Sequence, residues 1–521
     1  MISMYPDWMF NAVKPYSSVL VANRGEIAVR ILQAAKESGL RGISIYSDSD
    51  AKSLHVEISE EAIHLPGKLL SETYLNIEAI LNAAKNSGAE AIHPGYGFLS
   101  ERSDFAQAVI DSNLIWIGPS PKSIKIMGDK ISARNKMINS GVPIIPGEEI
   151  FIQDGEEYIE PLAAAAARVG YPLLLKASAG GGGKGMRAVH MPKNLKSQYE
   201  AASREASAAF GDGTVYVERL LAEARHIEIQ ILCDENGNCV HLNERDCSLQ
   251  RRHQKVIEET PSPALSDDIR QLMGQSALKA AKSVNYVGAG TVEFLLSSKG
   301  EFFFLEMNTR LQVEHPITEL ITGIDIVQKQ FEIAAGIDLG LIQKDIGING
   351  HSIEARIYAE NPSNGFLPAT GVLSKWQCPS GPGIRLDSGF REGDEITIDF
   401  DPMLAKLIVH APNRKAALRK LDTALSDFII LGVITNLGFL RDIIKQNRFS
   451  EGRMTTDYLD NADNSIFIQP TIDPSHLIVI ASAAERLGIN TKSSSSINDG
   501  IMDNYSGHVG DPFKTLSRIF P

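Results

Sequence analysis

The chain contains little cysteine, no long apolar run and no excess of positive charge. Its 521 residues include four cysteines, and no two of them stand in a C-x-x-C spacing. The sequence therefore predicts neither a disulfide framework nor a zinc site, and it favours a reducing, cytoplasmic environment. No apolar run is long enough to cross a bilayer. Residues 1–18 lack both the apolar core of a signal peptide and the arginines of a transit peptide.

The net charge of −13 argues against nucleic acid or an anionic membrane as a partner, because both bind clustered positive charge. What the chain does have is an ordinary globular composition, with 43% hydrophobic and 22% charged residues. Its length exceeds a single hydrophobic core and predicts roughly two to four domains. We expect a soluble intracellular protein.

The chain divides into segments with different patterns. From Ser17, strand and helix patterns alternate, which predicts a doubly wound, mostly parallel sheet. A second unit begins near MGDK and contains a glycine-rich loop, and a third opens with GHSIEARIYAE. The tail combines a helical pattern with a polar, linker-like stretch. The predicted limits are 1–126, 127–350 with a lid at about 148–220, 351–460, and a tail at 461–521.

The most unusual stretch is the glycine run KASAGGGGKGM, residues 176–186. A P-loop would need glycine at Ser178 and a hydroxyl at Gly185, so that motif fails. Gly180, Gly182 and Gly185 match G-x-G-x-x-G, but a dinucleotide fingerprint opens a helix, whereas both flanks here are strand-like. A mobile lid that folds its backbone N–H groups over phosphates fits better than a flexible linker.

The segment GTVEFLLSSKGEFFFLEMNTRLQVEHPITE predicts two strands joined by a turn. If Leu296 pairs with Glu301, then Glu293 and Glu306 are diagonal neighbours on one face, roughly 7 to 8 Å apart, which suits a bridging cation. An exposed outer strand is the alternative, but Glu293 interrupts an apolar run, where a carboxylate is costly unless paired or metal-bound. From Glu306 onward, every second residue is polar, so an extended chain presents these side chains in one row: Glu306, Asn308, Arg310, Gln312 and Glu314.

A third polar cluster spans residues 243–259, NERDCSLQRRHQKVIEE. It is either a basic surface run or nucleic-acid patch, or the wall of a polar site, and its flanking acidic residues favour the wall. If the segment is extended, Arg251, His253 and Lys255 project to the same side. The carboxylate and amide side chains of the polar row are ligands that suit magnesium, and Lys130 and Lys176 on other loops could neutralise phosphate. These features together predict a magnesium nucleotide site.

These motifs together resemble the biotin carboxylase component of biotin-dependent carboxylases, in the ATP-grasp superfamily. The resemblance spans about Ser17 to Asp460, and the motifs that carry it are VANRGEIAVRI, AIHPGYGFLSE, MGDK, KASAGGGGKGM, ERDCSLQRRHQK, EMNTRLQVEHPITE and EARIYAE. It implies an α/β fold, with α+β in the ATP-binding part. An N-terminal doubly wound parallel sheet would precede a central ATP-grasp domain with a glycine-rich lid and a C-terminal biotin carboxylase domain.

The resemblance implies a two-step reaction. Bicarbonate attacks the γ-phosphate of magnesium ATP, with Mn2+ as a possible substitute metal, to give carboxyphosphate. That intermediate releases CO2 beside biotin, and phosphate helps deprotonate the ureido nitrogen. For the nucleotide, the implied residues are the phosphate-binding Lys130 and Lys176, the lid glycines Gly181, Gly182 and Gly183, the adenine-hinge residues Glu218 and Leu221, and the further contacts His226, Gln250 and His253. For the chemistry, they are the magnesium ligands Glu293, Glu306 and Asn308, the bicarbonate and γ-phosphate pocket of Lys255, Arg310, Gln312 and Val313, the general base Glu314, and Arg356 at the biotin enolate.

The sequence departs from the family pattern in two places, with Ala179 where a glycine is frequent and Ala369 where a serine is frequent. We expect neither to abolish activity. No Ala-Met-Lys-Met type segment occurs, so biotin is expected on a separate carrier protein. The other expected partners are carboxyltransferase subunits of an acyl-CoA or acetyl-CoA carboxylase and a second copy of the chain. Two alternatives remain open: another bicarbonate-activating ATP-grasp ligase, and a non-catalytic nucleotide-binding regulator.

Overall fold

The computed structural model describes residues 12–150, 158–178, 186–462 and 482–483. The chain divides into two compact units, Met1–Phe467 and Ile468–Pro521, and every element below belongs to the first. The lid glycines Gly181, Gly182 and Gly183 lie outside the described residues, as does the predicted tail apart from residues 461–462 and 482–483. Within the described ranges, no helix is long and apolar enough to span a membrane.

The N-terminal part is a parallel sheet with strand order β3-β2-β1-β4-β5. Its strands are β1 (Ser18–Val21), β2 (Arg41–Tyr46), β3 (Glu61–His64), β4 (Ala91–His93) and β5 (Ile115–Trp116). Its helices are α1 (Gly25–Glu37), α2 (Leu54–Ile58), α3 (Ile77–Ser87) and α4 (Ser103–Asp111). The apolar strand SVLV is buried along its whole length because both faces of a parallel sheet are covered. The predicted doubly wound fold is confirmed.

Two helices, α5 (Pro121–Gly128) and α6 (Lys130–Asn139), lead to a small antiparallel sheet. This lid sheet has the order β6-β9-β7-β8. Its strands are β6 (Gly147–Glu149), β7 (Leu173–Ala177), β8 (Arg187–Val189) and β9 (Val215–Arg219), with α7 (Ile159–Val169) and α8 (Leu195–Phe210) in between. The two strands on either side of the glycine run pair antiparallel, with Leu173 opposite Val189. The glycine run therefore joins two strands, as predicted.

The largest sheet has eight strands in the order β14-β13-β10-β11-β12-β15-β22-β20, and all its neighbours are antiparallel. The strands are β10 (Arg225–Cys233), β11 (Cys239–Arg251), β12 (Gln254–Thr260), β13 (Gly288–Leu296), β14 (Phe302–Asn308), β15 (His351–Tyr358), β20 (Ile384–Ser388) and β22 (Met403–Ala411). Because β12 pairs with β15, one sheet continues across residue 350.

The remaining elements flank this sheet. The helices are α9 (Asp267–Ser283), α10 (His315–Thr322), α11 (Ile326–Ala334), α12 (Arg414–Asp427), α13 (Leu437–Ile444) and α14 (Asn447–Ser450). Short strand pairs are formed by β16 (Glu360–Asn361) with β17 (Leu367–Pro368), β18 (Gly371–Val372) with β21 (Glu395–Ile396), and β19 (Lys375–Gln377) with β23 (Ile429–Leu431).

The two faces of β10 show how the large sheet sorts its side chains. Ile227, Ile229 and Ile231 alternate along the strand and pack into an apolar core. Glu228 and Gln230 project to the opposite face and are also fully buried. A buried carboxylate is stable only when it is paired or hydrogen-bonded. That face therefore collects cations and hydrogen-bond donors.

The cysteines differ from the prediction. The structure places the Sγ atoms of Cys233 and Cys239 2.20 Å apart as a disulfide, whereas Cys247 and Cys378 are free. The two bonded residues lie directly opposite each other in the β10–β11 pair. Their separation of six residues gives no sign of this pairing until the position of the hairpin turn is known.

Candidate active site

The β13–β14 hairpin places two carboxylates directly opposite each other. The predicted register, with Leu296 opposite Glu301, is wrong because Leu296 pairs with Phe302. Farther along the hairpin, a β-bulge places an extra residue on β14 and shifts the register by one residue. Glu293 therefore lies directly across from Glu306 rather than diagonally.

The predicted extended row also ends early, since β14 stops at Asn308 and Glu314 directly precedes α10. The polar side chains nevertheless converge. Nδ2 of Asn308 and Nε2 of Gln312 donate to Oε1 of Glu293 at 2.8 and 2.9 Å. Arg310 donates from Nη2 to Oδ1 of Asn308 at 3.0 Å. Hydrogen bonds to the Glu293 carboxylate, rather than one continuous strand, therefore hold Asn308 and Gln312 together.

The third cluster is a hairpin rather than one extended segment. Arg252 and His253 have φ angles of 49° and 65° and form the turn between β11 and β12. As a consequence, Lys255 returns along the sheet opposite Gln250 and points into the site. His253 is exposed at the turn, so the predicted projection of His253 and Lys255 to one side of a single strand is wrong.

Lys255 is the centre of the buried charges. Its Nζ lies 2.6 Å from Oε2 of Glu228, 3.0 Å from Oε1 of Glu293 and 2.6 Å from Oε1 of Glu314. Burial alone would lower the pKa of Lys255, but these three carboxylates raise it well above its usual value. The ammonium group therefore stays charged.

Glu314 is held between two cations. Oε2 of Glu314 accepts a hydrogen bond from Nη2 of Arg356 at 3.0 Å, on the side away from Lys255. Burial alone would raise the pKa of Glu314, but Lys255, Arg356 and Arg245 lower it well below its usual range. The side chain is a carboxylate at neutral pH and can accept a proton.

Arg356 is fixed from its other side by Glu258. Its Nε donates to Oε1 of Glu258 at 2.6 Å, and the carboxylate is fully buried. Burial would lower the pKa of Arg356, but Glu258 and Glu314 raise it well above its usual value. The guanidinium is thus a permanent positive charge held in one orientation.

The two phosphate-binding candidates, Lys130 and Lys176, lie close enough to interact electrostatically, and Lys130 also interacts with Glu306. Asp129 accepts from the backbone N–H of Ser132, so that Lys130 becomes the first residue of α6. Burial lowers the pKa of Lys130, although Glu306 acts to raise it. Lys176, on β7, is 2.6 Å from Oε2 of Glu218.

The hinge and nucleotide candidates lie on neighbouring strands. Leu221 is half-buried two residues beyond β9. Nδ1 of His226 is 2.7 Å from Nε2 of Gln250, and its Nε2 is 3.0 Å from Oε2 of Glu293. The backbone oxygen of Val313 accepts from Nζ of Lys406 at 3.0 Å. His253, by contrast, is exposed at the β11–β12 turn, away from these contacts.

Sequence reasoning missed Glu228, Arg245 and Glu258. Arg245 is fully buried and donates to Oε1 of Glu228 at 2.5 Å and to Oε1 of Gln312 at 2.9 Å. Glu228 interrupts the apolar pattern of RHIEIQILC, which is the same signal that singled out Glu293. The same signal therefore marks Glu228 as a candidate for a buried, paired carboxylate.

Glu293 and Glu306 fit a divalent cation. Burial raises the pKa of Glu306, and the nearby charge of Glu293 raises it further. A cation between two opposed carboxylates removes this repulsion, and carboxylate oxygen is the ligand that Mg2+ prefers. His226, Glu228 and Glu293 also offer ligand atoms within 4.8 Å of one another. Both groups share Glu293, but Lys255 already neutralises Glu228, whereas the pKa of Glu306 stays raised beside Glu293, so the opposed pair is the better candidate.

A small lid sheet beside a large antiparallel sheet, with lysines on one side and opposed carboxylates on the other, defines an ATP-dependent ligase of the ATP-grasp class. Three family models match the chain in order. They are the biotin carboxylase N-terminal domain over 15–124, the carbamoyl-phosphate synthase L chain ATP-binding domain over 129–342, and the biotin carboxylase C-terminal domain over 354–461. The chain belongs to the biotin carboxylase family.

Similar proteins agree with this family. Biotin carboxylase 2 of Bacillus subtilis is 48% identical over 444 residues, which cover 85% of this chain and 99% of that protein. The alpha subunit of mitochondrial methylcrotonoyl-CoA carboxylase from Dictyostelium discoideum is 48% identical over 86% of this chain. The match covers 64% of that subunit's length.

Solved structures share the fold. The biotin carboxylase domain dimer of Hydrogenobacter thermophilus 2-oxoglutarate carboxylase, in complex with MgADP, ADP and bicarbonate, is 44% identical with a TM-score of 0.83. That match covers 88% of this chain and 99% of the other. Biotin carboxylase from Campylobacter jejuni, solved as a β,γ-ATP complex, is 42% identical with a TM-score of 0.82, and covers 86% of this chain and 99% of its own.

Proposed function

We propose that this chain uses ATP and bicarbonate to carboxylate biotin held on a separate carrier protein, as the first half-reaction of an acyl-CoA carboxylase. The observation that carries the proposal is the position of Glu314. Its two carboxylate oxygens contact Lys255 at 2.6 Å and Arg356 at 3.0 Å. A proton acceptor and two fixed cations therefore surround the space where an anion would react.

In this proposal, Glu314 takes the proton of bicarbonate as a bicarbonate oxygen attacks the γ-phosphorus of ATP. The bond from that phosphorus to the β,γ-bridging oxygen breaks, and ADP leaves. Arg310 and Lys255 hold the anion, with Gln312 and Val313 forming the rest of the pocket. Positioning and charge neutralisation are what phosphoryl transfer needs most from a protein.

The second step is capture of carbon by biotin. Carboxyphosphate releases CO2, and the phosphate that forms takes the ureido N–H proton, so that negative charge develops on the ureido oxygen. The nitrogen then bonds to the carbon of CO2, and the charge passes to the oxygens of the new carboxylate. We propose that Arg356 stabilises the charge on the ureido oxygen, because the fixed orientation imposed by Glu258 costs no rearrangement at that moment.

The nucleotide is proposed to lie between the lid sheet and the large sheet. Lys130 and Lys176 neutralise its phosphates, Glu218 and Leu221 hold the adenine, and His226, Gln250 and His253 are further contacts, with His253 requiring movement from its exposed turn. The glycines Gly181, Gly182 and Gly183 are proposed to close over the phosphates. Glu293, Glu306 and Asn308 would hold magnesium, which would offset the negative charge of the phosphates.

The partners proposed for the reaction are a biotin carrier protein and carboxyltransferase subunits, with a second copy of the chain as a homodimer. The dimeric structure of the Hydrogenobacter thermophilus domain supports the homodimer, and the similarity to a subunit of methylcrotonoyl-CoA carboxylase supports the other partners. The domain limits at residues 126, 350 and 460 and the cytoplasmic location stay predictions.

The test is bicarbonate-dependent release of ADP by the purified chain with magnesium ATP, with and without free biotin. We expect biotin to stimulate release, and Glu314→Gln to reduce the rate by at least about a hundredfold, because it removes the proton acceptor but keeps the side-chain shape. Glu451→Gln, at an exposed ion pair, is the matched control and should behave as the parent chain.

The other outcomes separate the rivals. ADP release that needs bicarbonate but ignores both free and carrier-linked biotin would indicate a different bicarbonate-activating ATP-grasp ligase. Nucleotide binding without any bicarbonate-dependent turnover would indicate the regulator. The buried contact between Arg356 and Glu314 favours the biotin carboxylase, because it puts a permanent cation beside the proton acceptor.

A further inference from the structure

Lys406 is a fully buried lysine at the back of the candidate site. Its Nζ donates to the backbone oxygen of Val313 at 3.0 Å, lies 3.1 Å from Oε2 of Glu26 and lies 3.7 Å from Oδ2 of Asp387. Burial would lower the pKa of Lys406, but Glu26 and Asp387 raise it. A charged ammonium group therefore holds the peptide oxygen that immediately precedes Glu314.

The sheet explains why Lys406 faces this region. On β22 it lies directly opposite Arg356 of β15 on one side and Asp387 of β20 on the other. Directly opposite residues of an antiparallel pair project to the same face. Lys406 therefore shares the face of the sheet on which Arg356 contacts Glu314.

The N-terminal part meets Lys406 through the motif VANRGEIAVRI. Glu26 lies in the first turn of α1, and the hydroxyl of Tyr96 donates to its carboxylate. A Cβ on Gly389 would lie 2.7 Å from the backbone nitrogen of Glu26 and from the carbonyl carbon of Gly25. The loop after β20 can pack this closely on α1 only because residue 389 is glycine.

A second set of ion pairs holds the other end of α10. Nη2 of Arg30, on α1, is 3.0 Å from Oε1 of Glu319, and Nη1 of Arg385, on β20, is 2.8 Å from Oε2 of the same carboxylate. The helix that begins after Glu314 is thus fixed from both sides, once at the Val313 carbonyl and once at Glu319.

We propose that Lys406 is a positioning residue for Glu314. By holding the Val313 oxygen against Glu26, it fixes the turn that aims the Glu314 carboxylate between Lys255 and Arg356, and so links the N-terminal and C-terminal parts to bicarbonate activation. This inference rests on the proposed role of Glu314 as the proton acceptor. It gives the motifs VANRGEIAVRI and AIHPGYGFLSE a function in the reaction without any contact with a reacting atom.

The test compares Lys406→Met, which keeps the length of the side chain but removes its charge, with Lys406→Arg, which keeps the charge. Lys420→Met is the matched control, because Lys420 also donates to two backbone oxygens, those of Pro382 and His410. ADP release is measured against bicarbonate and against magnesium ATP separately. Hydrogen exchange of peptides covering residues 311–317 is measured on the same proteins.

We expect Lys406→Met to lower kcat/KM for bicarbonate by about tenfold to a hundredfold, with KM for magnesium ATP changed by less than about twofold, because only the turn at Glu314 is displaced. Lys406→Arg should recover part of the loss, and Lys420→Met should match the parent chain. Exchange across 311–317 should become faster in Lys406→Met. If that variant does not fold, Glu26→Gln removes the main counter-charge and is expected to give the same selective loss.

Equal losses toward bicarbonate and magnesium ATP, or unchanged exchange across 311–317, would overturn the inference and leave Lys406 a purely structural residue. These results are distinct from failure of the proposed function, in which the parent chain itself releases no ADP in response to bicarbonate. In that case the exchange measurement still decides whether Lys406 orders the turn.

Discussion

At the scale of single residues, the site depends on a balance between buried charges. One ammonium group, on Lys255, contacts three carboxylates, and Arg245 and Arg356 neutralise two of them further. Removing one partner of a buried pair costs more than the pair contributes, because the other charge remains buried without compensation. Amide substitutions also remove one charge of the pair, but they keep the volume of the side chain and a hydrogen-bonding group, so they are more informative here than truncation to alanine.

Glu258 gives a prediction at this scale. The pKa of Glu258 is raised to about 7, because burial and the nearby charge of Glu314 raise it by more than Arg356 lowers it. Above that pH the carboxylate is ionised and holds Arg356 by a charge-assisted hydrogen bond, whereas below it the bond weakens. We expect the biotin-dependent rate to fall on the acidic side of neutrality, and Glu258→Gln to lower the rate and to remove that fall.

The measurement is a pH–rate profile, with the exposed Glu395→Gln as control. An acidic fall that persists unchanged in Glu258→Gln would contradict the prediction. The stability of the fold is expected to change with pH in the opposite direction to the rate. Because the folded chain holds this proton more tightly than the unfolded chain, the contribution of Glu258 to stability is greatest at acidic pH and is lost as pH rises through about 7.

At the scale of elements, the N-terminal parallel sheet, the strands around the glycine run and the helix α12 could be predicted from sequence. The spacing of apolar residues and the positions of glycines that predict these elements lie within each element itself, so they can be read without knowing the tertiary structure. The site was less predictable, because its geometry depends on single-residue irregularities. The bulge on β14 leaves Leu305 without an opposite residue and brings Glu293 across from Glu306.

The β11–β12 turn is a second such irregularity. Two consecutive residues with positive φ, Arg252 and His253, are uncommon outside Gly, Asn and Asp, so no turn was predicted there. A turn at these residues reverses the chain and sends Lys255 toward the site. The residue types of the site were therefore predictable from sequence, whereas the register that assembles them was not.

The contact between Arg24, which directly precedes α1, and Asp50, which follows β2, gives a prediction at the scale of elements. Arg24 donates to both oxygens of Asp50 at 2.7 and 2.8 Å and stacks 3.8 Å above the ring of Phe400. Asp50→Asn should lower the free energy of unfolding by about 3 kcal/mol, because a mostly buried guanidinium loses its fully buried counter-charge. Asp104→Asn is the control, since its ion pair with Arg102 is exposed, and it should cost less than about 1 kcal/mol.

Urea unfolding at several pH values checks this prediction. Burial acts to raise the pKa of Asp50, but Arg24 lowers it to about 2. The stabilisation by the carboxylate is therefore present above about pH 4 and is lost as pH falls toward 2. A difference between the parent chain and Asp50→Asn that grew on acidification would be inconsistent with this account.

At the scale of the whole molecule, nucleotide and metal should stabilise the fold together, because Lys176 lies in the lid sheet and Glu306 in the large sheet. MgADP at about a hundred times its Kd should add about 2.7 kcal/mol to the stability of the folded state. We expect EDTA to remove part of the rise in melting temperature, and Glu306→Gln to remove that EDTA-sensitive part alone.

Glu301→Gln, beside the β13–β14 turn and exposed, is the control for this measurement. The same EDTA response in Glu306→Gln and in the parent chain would place the metal elsewhere. Loss of the whole nucleotide effect in Glu306→Gln would mean instead that the metal and the nucleotide bind only as a unit.

The continuation of the large sheet across residue 350 limits how the protein can be divided. The pairs from Ile257 with Ala355 to Thr260 with Ser352 join β12 to β15. A fragment that ended before β15 would present the free edge of β12, with unpaired backbone groups beside apolar side chains, as a template for another chain. Such a fragment is expected to aggregate, so insertions and fusions are better tolerated in the exposed turns than at this boundary.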